Sequence, residues 1–170
     1  MKKLNKNNKG FSLVELLVVI AIMVVLVGVV APTLLNNIEK SKESKDVQAL
    51  DSIASAVQSA LADESAYDIA NESTGKYYNK SVLASEIIGQ TTDAFTTKVT
   101  EYLKTLPEMS GSTAHATGNN IYVLYTADGR VCVYVASSAF TPTTGTTAKP
   151  LPETSDVITG KRGQTYIVTR

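Results

Sequence analysis

Gly10-Phe11-Ser12-Leu13-Val14-Glu15, followed by an apolar run from Leu16 to Ala31 and closed by Pro32, is the stretch that decides how this 170-residue chain folds. A helix needs roughly 20 mostly apolar residues to cross the ~30 Å hydrocarbon core of a bilayer. Phe11 to Ala31 supplies 21, with only Ser12 and Glu15 as polar interruptions. The segment is therefore long and apolar enough to span a membrane. Glu15 is its informative member, because an acid near the centre of a membrane helix costs about 2.5–3.5 kcal/mol on insertion scales and is usually functional. Placed near the start of the run, it either reaches the headgroups at modest cost or waits for a cationic partner within the lipid.

On the amino-terminal side, Met1 to Gly10 is polar and basic, with Lys2, Lys3, Lys6 and Lys9 and no acid. This looks like the front of a secretory signal, but such signals have an apolar core of about 7–15 residues and an A-x-A-like cleavage site. Here the run is longer, contains an acid and ends in Val29-Val30-Ala31-Pro32. Read as an anchor, the lysines hold residues 1–10 in the cytoplasm and put the chain after Pro32 outside. The whole sequence balances 16 basic against 16 acidic residues; without the four leader lysines, 12 basic residues face 16 acidic ones. Nucleic-acid binding through bulk charge is not expected from such a balance.

With one cysteine, Cys132, the chain cannot form an internal disulfide, so the core has to hold by packing. Val131 and Val133 on either side mark Cys132 as a buried thiol in a strand. A single His, His115, leaves little material for a zinc site or for Cys/His catalysis. Acids such as Glu101 with Glu108, or Asp128 with Asp156, are joined by no motif to a base, a metal set or a phosphate loop. No catalytic residue, metal site or cofactor is expected, and the chain reads as a non-enzyme.

The Gly10-Phe11-Ser12-Leu13-Val14-Glu15 hexapeptide ahead of its apolar run resembles the cleavage and methylation motif of type IV prepilins. The resemblance covers roughly residues 1–40 and continues beyond them in architecture rather than in motifs. It implies that a membrane prepilin peptidase cuts between Gly10 and Phe11 and methylates the new Phe11 amino group. It further implies that Glu15 pairs with the Phe11 amino terminus of a neighbouring subunit and sets axial register. Other partners implied are identical or related pilin subunits, an assembly ATPase with a membrane platform protein, and a host or cell surface met by the fibre; nucleic acid is left open. The same resemblance places the protein in the cytoplasmic membrane before assembly and outside the cell afterwards.

On the carboxyl-terminal side, Gly28 and Pro32 predict a kink, since an interior proline loses a backbone hydrogen bond and crowds the preceding turn. Leu50, Ile53, Ala54, Val57 and Leu61 then repeat at helical spacing, so one helix is expected from about Phe11 to Ala66. Its charged neck, Glu39 to Asp46, offers Glu39–Lys42 and Lys42–Asp46 pairs, and reads as a solvated neck or as a source of ion pairs to adjacent subunits. Residues 67–80 read as a loop, Ser81 as the cap of a short helix to Ile88, and Asp93 as the cap of a helix to Leu106. Asp128-Gly129 between Ile121–Tyr125 and Val131–Val135 signals a hairpin. Ser137 to Lys149 reads as an exposed loop, and Asp156–Thr159 with Thr165–Thr169 as a second hairpin around Gly160–Gly163. Lys161, Arg162 and Arg170 form either a small basic spot or a solvated turn, and Asn71 and Asn79 match the N-glycosylation pattern.

The expected fold is thus α+β and pilin-like: a long N-terminal helix whose second half packs on an antiparallel sheet of about four strands. Its parts are a leader (1–10), a membrane and polymerisation half-helix (11–32), an amphipathic half-helix (33–66) and a head (67–170). The expected function is that of a structural type IV pilus subunit serving motility, adhesion or aggregation. The alternatives are a pseudopilin of a secretion or competence system and a membrane-tethered binding domain that never polymerises.

Overall fold

Two successive apolar patterns, all-round and then one-sided, run along α1 (Leu13–Ala60), which is unbroken at Gly28 and Pro32 although Gly, Pro and the many valines are poor helix formers. The computed structural model describes residues 11–116, 118–143, 149 and 151–170. Gly10 and the leader lysines lie outside the described residues, as do Gly145 and its neighbours in the Thr-rich loop. The chain divides into one unit ending at Ile38 and a second, Glu39–Arg170. In the first unit every side chain from Phe11 to Val30 is exposed, and the helix is long and apolar enough to cross a membrane.

Within the second unit α1 stops at Ala60, six residues short of the expected end. Asp63 is the cause: its Oδ1 accepts the amides of Ser65 at 3.1 Å and Ala66 at 3.4 Å, starting a new helix, α2 (Glu64–Asn71). Part of the expected 67–80 loop is therefore helical. Ser81 does not cap a helix either. Lys80–Leu83 forms strand β1, and Ser81 Oγ donates to the Phe140 carbonyl at 2.6 Å. Only a 3-10 turn, Ala84–Glu86, follows. Asp93 caps α3 (Ala94–Tyr102) as expected, in a reciprocal box with Thr96, but that helix ends before Leu106.

Three further strands complete the sheet: β2 (Asn120–Tyr125), β3 (Val131–Ala136) and β4 (Ile167–Thr169). All pairings are antiparallel, in the order β1-β2-β3-β4. The Asp128-Gly129 hairpin joins β2 to β3, with Gly129 at φ 82° and Thr126 N donating to Arg130 O at 2.9 Å. The α+β class and four-strand count agree with the expectation, while the membership differs. The stretch expected as the strand Asp156–Thr159 forms no strand: it contributes a bridge, Thr159 to Thr165, and a backbone bond from Ile158 N to Val135 O at 2.8 Å, and β1 takes its place in the count.

Because successive strand residues point to opposite faces, β3 serves two cores. Val131, Val133 and Val135 face Leu50, Ile53 and Val57 of α1, with Ala66, Ala70, Phe95 and Val99 closing the layer. Cys132, Tyr134 and Ala136 face the other way, with Tyr122, Leu124 and Val157. There Tyr122 stacks on its cross-strand partner Tyr134 at 5.5 Å between ring centroids. In the stretch expected as an exposed loop, Ser137, Ser138, Ala139, Thr141 and Thr143 are exposed as expected, but Phe140 is half-buried against the second core. Phe140 and Leu151 pack on the outer sheet face, and the Phe140 amide donates to Tyr134 Oη at 2.8 Å.

Candidate functional site

The amino-terminal end of α1 carries a variant of the capping box, in which the Ser12 hydroxyl takes the second rather than the third helical amide. Ser12 and Glu15 stand at the S-x-x-E spacing that lets a helix satisfy its own free amides. Val14 N donates to Ser12 Oγ at 3.4 Å, and Ser12 N donates to Glu15 Oε2 at 2.9 Å. The Glu15 carboxylate is thus held in the first helical turn, where the helix dipole favours negative charge. Ser12 is the partner that sequence reasoning missed, although the spacing was legible. Phe11, the residue implied to be methylated, is 87% exposed just before this box. Gly28 lies on open helix, with nothing within 4 Å of a Cβ built there. Pro32 sits inside the same unbroken helix.

The charged neck does not form the ion pairs its spacing suggested. Glu39, Glu43 and Asp46 all turn toward backbone amides of two head loops. Glu39 Oε1 accepts Ser112 N at 2.8 Å and Ser112 Oγ at 2.5 Å. These bonds, the hydroxyl first, hold its carboxyl below the usual range. Asp46, 1% exposed, accepts Ser110 N and Gly111 N at 2.7 Å each. Glu43, equally buried, accepts the Arg162 amide at 3.1 Å. Carboxylates that accept several amides in place of water avoid much of the cost of burial.

Two glycines permit this approach. A Cβ on Gly111 would lie 2.7 Å from Asp46 Oδ2 and 2.6 Å from Tyr166 Oη, and one on Gly160 would lie 2.5 Å from the Glu43 carboxyl carbon. The Tyr166 ring is fully buried, and its hydroxyl has no hydrogen-bond partner among the described residues. Burial first, and then Glu43 and Asp46, push its ionisation far upward.

The remaining candidates resolve into structural roles. Arg170 is not part of a basic spot with Lys161 and Arg162, because its guanidinium clasps Asp51 of α1 with contacts of 2.7–3.0 Å. Asp128 pairs with Arg130 at 2.5 Å and Asp156 with Lys149 at 2.7 Å. Cys132 is fully buried, and burial pushes its thiol up to about 11, which keeps it un-ionised near neutrality. His115 is exposed at an open groove of about 410 Å³, bordered by Leu106, Met109, Asn120 and Ile121. Among the described residues no group of three or more His, Cys, Asp or Glu is placed to hold a metal ion.

Compared with known proteins, residues 5–31 match the family described as the prokaryotic N-terminal methylation motif. No curated protein and no solved structure matches the chain. The motif, together with the long apolar helix that carries it, defines the class: a protein bearing the prepilin signal of type IV pilin-like proteins. The long helix and four-stranded antiparallel sheet are an α+β arrangement consistent with the pilin fold.

Proposed function

We propose that this chain is the structural subunit of a type IV pilus, stored in the cytoplasmic membrane, cleaved after Gly10, methylated at Phe11 and stacked through its N-terminal helix. The methylation motif over residues 5–31, together with the exposure of every side chain from Phe11 to Val30, carries this reading. An exposed apolar surface of this size needs either lipid or other helices around it. Membrane storage supplies the first and a filament core the second. Glu15 then exchanges its own Ser12 amide for the Phe11 amino terminus of a neighbour, where the two charges neutralise each other away from water.

Cleavage belongs to a prepilin peptidase, and the work of extraction to an assembly ATPase with its platform protein. Motility, adhesion or aggregation are then properties of the fibre rather than of one subunit, and the subunit itself performs no catalysis. N-terminal analysis of fibres sheared from the cell surface tests the reading: a methylated Phe11 is expected, and an uncleaved Met1 terminus would show a membrane-tethered domain instead. A pseudopilin shares the motif, and electron microscopy separates the two, since long surface fibres are expected of a pilin.

A further inference from the structure

Lys40, Lys42 and Lys45 are exposed on the neck of α1, and none pairs with a carboxylate among the described residues. Glu39, Glu43 and Asp46 would be their neighbours in an isolated helix, but head-loop amides claim these acids. The next acid along α1, Asp51, is taken by Arg170. What α1 shows to solvent between Lys40 and Gln48 is therefore cationic, with serines between the lysines and both acids, Glu43 and Asp46, buried; the half-buried Glu39 at the edge of this face is bonded to Ser112. Lys42 and Lys45 stand at i,i+3, a like-charge spacing that disfavours the free subunit.

α2 presents the complement. Glu64 and Asp68 stand at i,i+4 on its exposed side, followed by Glu72 at the C-cap, and none of the three has an ion-pair partner among the described residues. Asp68 and Glu72 also lie toward the helix C-terminus, where the dipole disfavours negative charge. At 1.5 Å per residue, Lys42 and Lys45 are about 4.5 Å apart along their axis and Glu64 and Asp68 about 6 Å along theirs, so two ion pairs fit in one crossing.

We propose that the Lys42 and Lys45 face of the neck docks a second copy of this chain through the Glu64 and Asp68 face of that copy's α2. The proposal rests on the filament reading above. Because the two faces differ, the contact is heterologous and propagates from copy to copy, as an open helical assembly requires. Exposed charge pairs give register and partner choice more than affinity, so the apolar helices remain the main source of cohesion.

The test uses full-length protein in its own cells. Fibres assembled from a mixture of nitrogen-14 and nitrogen-15 subunits are sheared, treated with a zero-length carbodiimide cross-linker and digested. Mixed-isotope peptides joining Lys42 or Lys45 to Glu64 or Asp68 are expected. In parallel, Lys42→Glu with Lys45→Glu should lower fibre yield several-fold, and adding Glu64→Lys with Asp68→Lys should restore it. Unchanged thermal unfolding of the variants in detergent separates loss of contact from loss of fold, and Lys42→Gln with Lys45→Gln serves as the milder pair.

Wild-type fibres lacking these mixed-isotope cross-links overturn the docking contact and leave the filament reading standing. An uncleaved amino terminus and no fibres overturn both. A neck variant that α2 reversal cannot rescue, and that no longer shows the wild type's preference for phosphatidylglycerol over phosphatidylcholine vesicles, assigns the lysines to anionic lipid and also overturns the contact.

Discussion

On the proposed filament reading Glu15 has two partners in two states of the protein, its own Ser12 amide and a neighbour's amino terminus, and the two states make different demands on it. Within one subunit it needs only to accept the Ser12 amide, 2.9 Å away, which an uncharged Gln side chain can also do. Between subunits it has to carry charge. Glu15→Gln and Glu15→Val are therefore both expected to insert and to be processed normally, yet to fail in co-assembly with wild type. Breaking a buried pair costs about 3–5 kcal/mol, which corresponds to at least about a hundredfold loss of incorporation. Processing is read from mobility on a gel and incorporation from sheared fibres; normal incorporation of either variant would sink the pairing. Asp93 gives a second residue-scale outcome. Burial raises its pKa, but the Thr96 amide, Tyr77 Oη at 2.7 Å and the Thr96 hydroxyl outweigh this and hold it below its ordinary 3.8. A depressed carboxyl contributes stability that is fully present above the unfolded pKa and lost as pH falls through the folded one. The advantage of wild type over Asp93→Asn in unfolding midpoint should thus shrink between about pH 5 and about pH 2. Asp93→Ala should cost about 0.5–2 kcal/mol at neutral pH through loss of the cap.

At the scale of elements, the neck of α1 works as a clasp. Asp46 holds Ser110 and Gly111, Glu43 holds Arg162, and Glu39 holds Ser112. Asp46→Ala leaves two amides without their acceptor and should destabilise the head by about 1–3 kcal/mol or more. Gly160→Ala, which drives a methyl into the Glu43 carboxyl, should cost about 1–3 kcal/mol. Thermal unfolding in detergent measures both, and a neutral result for either would remove the clasp as a source of stability. None of this was legible in the sequence. Glu39, Lys42 and Asp46 at i,i+3 and i,i+4 read as helix-surface ion pairs, because local spacing says nothing about loops 64 to 119 residues away that reach back with free amides. Local signals fared better. The methylation motif, the apolar run, the Asp93 cap and the Asp128-Gly129 hairpin each lie within a few consecutive residues, and each was readable. The errors lie where a short-range competitor or a distant partner decides: Asp63 ending α1 at Ala60, Ser81 donating to Phe140 instead of capping a helix, and Phe140 folding onto a sheet face that a Thr-rich sequence gave no reason to cover.

For the whole molecule, the division between the unit ending at Ile38 and Glu39–Arg170 falls immediately before the first clasp residue. Every hydrogen bond by which Glu39, Glu43 and Asp46 hold the head loops, and both hydrophobic cores, lie on the carboxyl-terminal side of that boundary. The exposed apolar surface from Phe11 to Leu35 lies on the other. A truncation starting at Glu39 should therefore be soluble without detergent and unfold cooperatively, because it discards apolar area that the head does not bury and keeps all that it does. A truncation starting at Val47 retains Leu50, Ile53 and Val57 but loses all three clasping carboxylates. It should remain folded around the helix–sheet core while the loops at 110–112 and 160–163 open. Hydrogen exchange distinguishes the two pieces: the amides of Ser110, Gly111 and Arg162 should be protected in the first and exchange much faster in the second, while Val133 and Val135 in β3 stay protected in both. Equal protection of the three loop amides in the two truncations would show that the loops hold themselves. The acids of the neck would then serve only to leave its lysines unpaired.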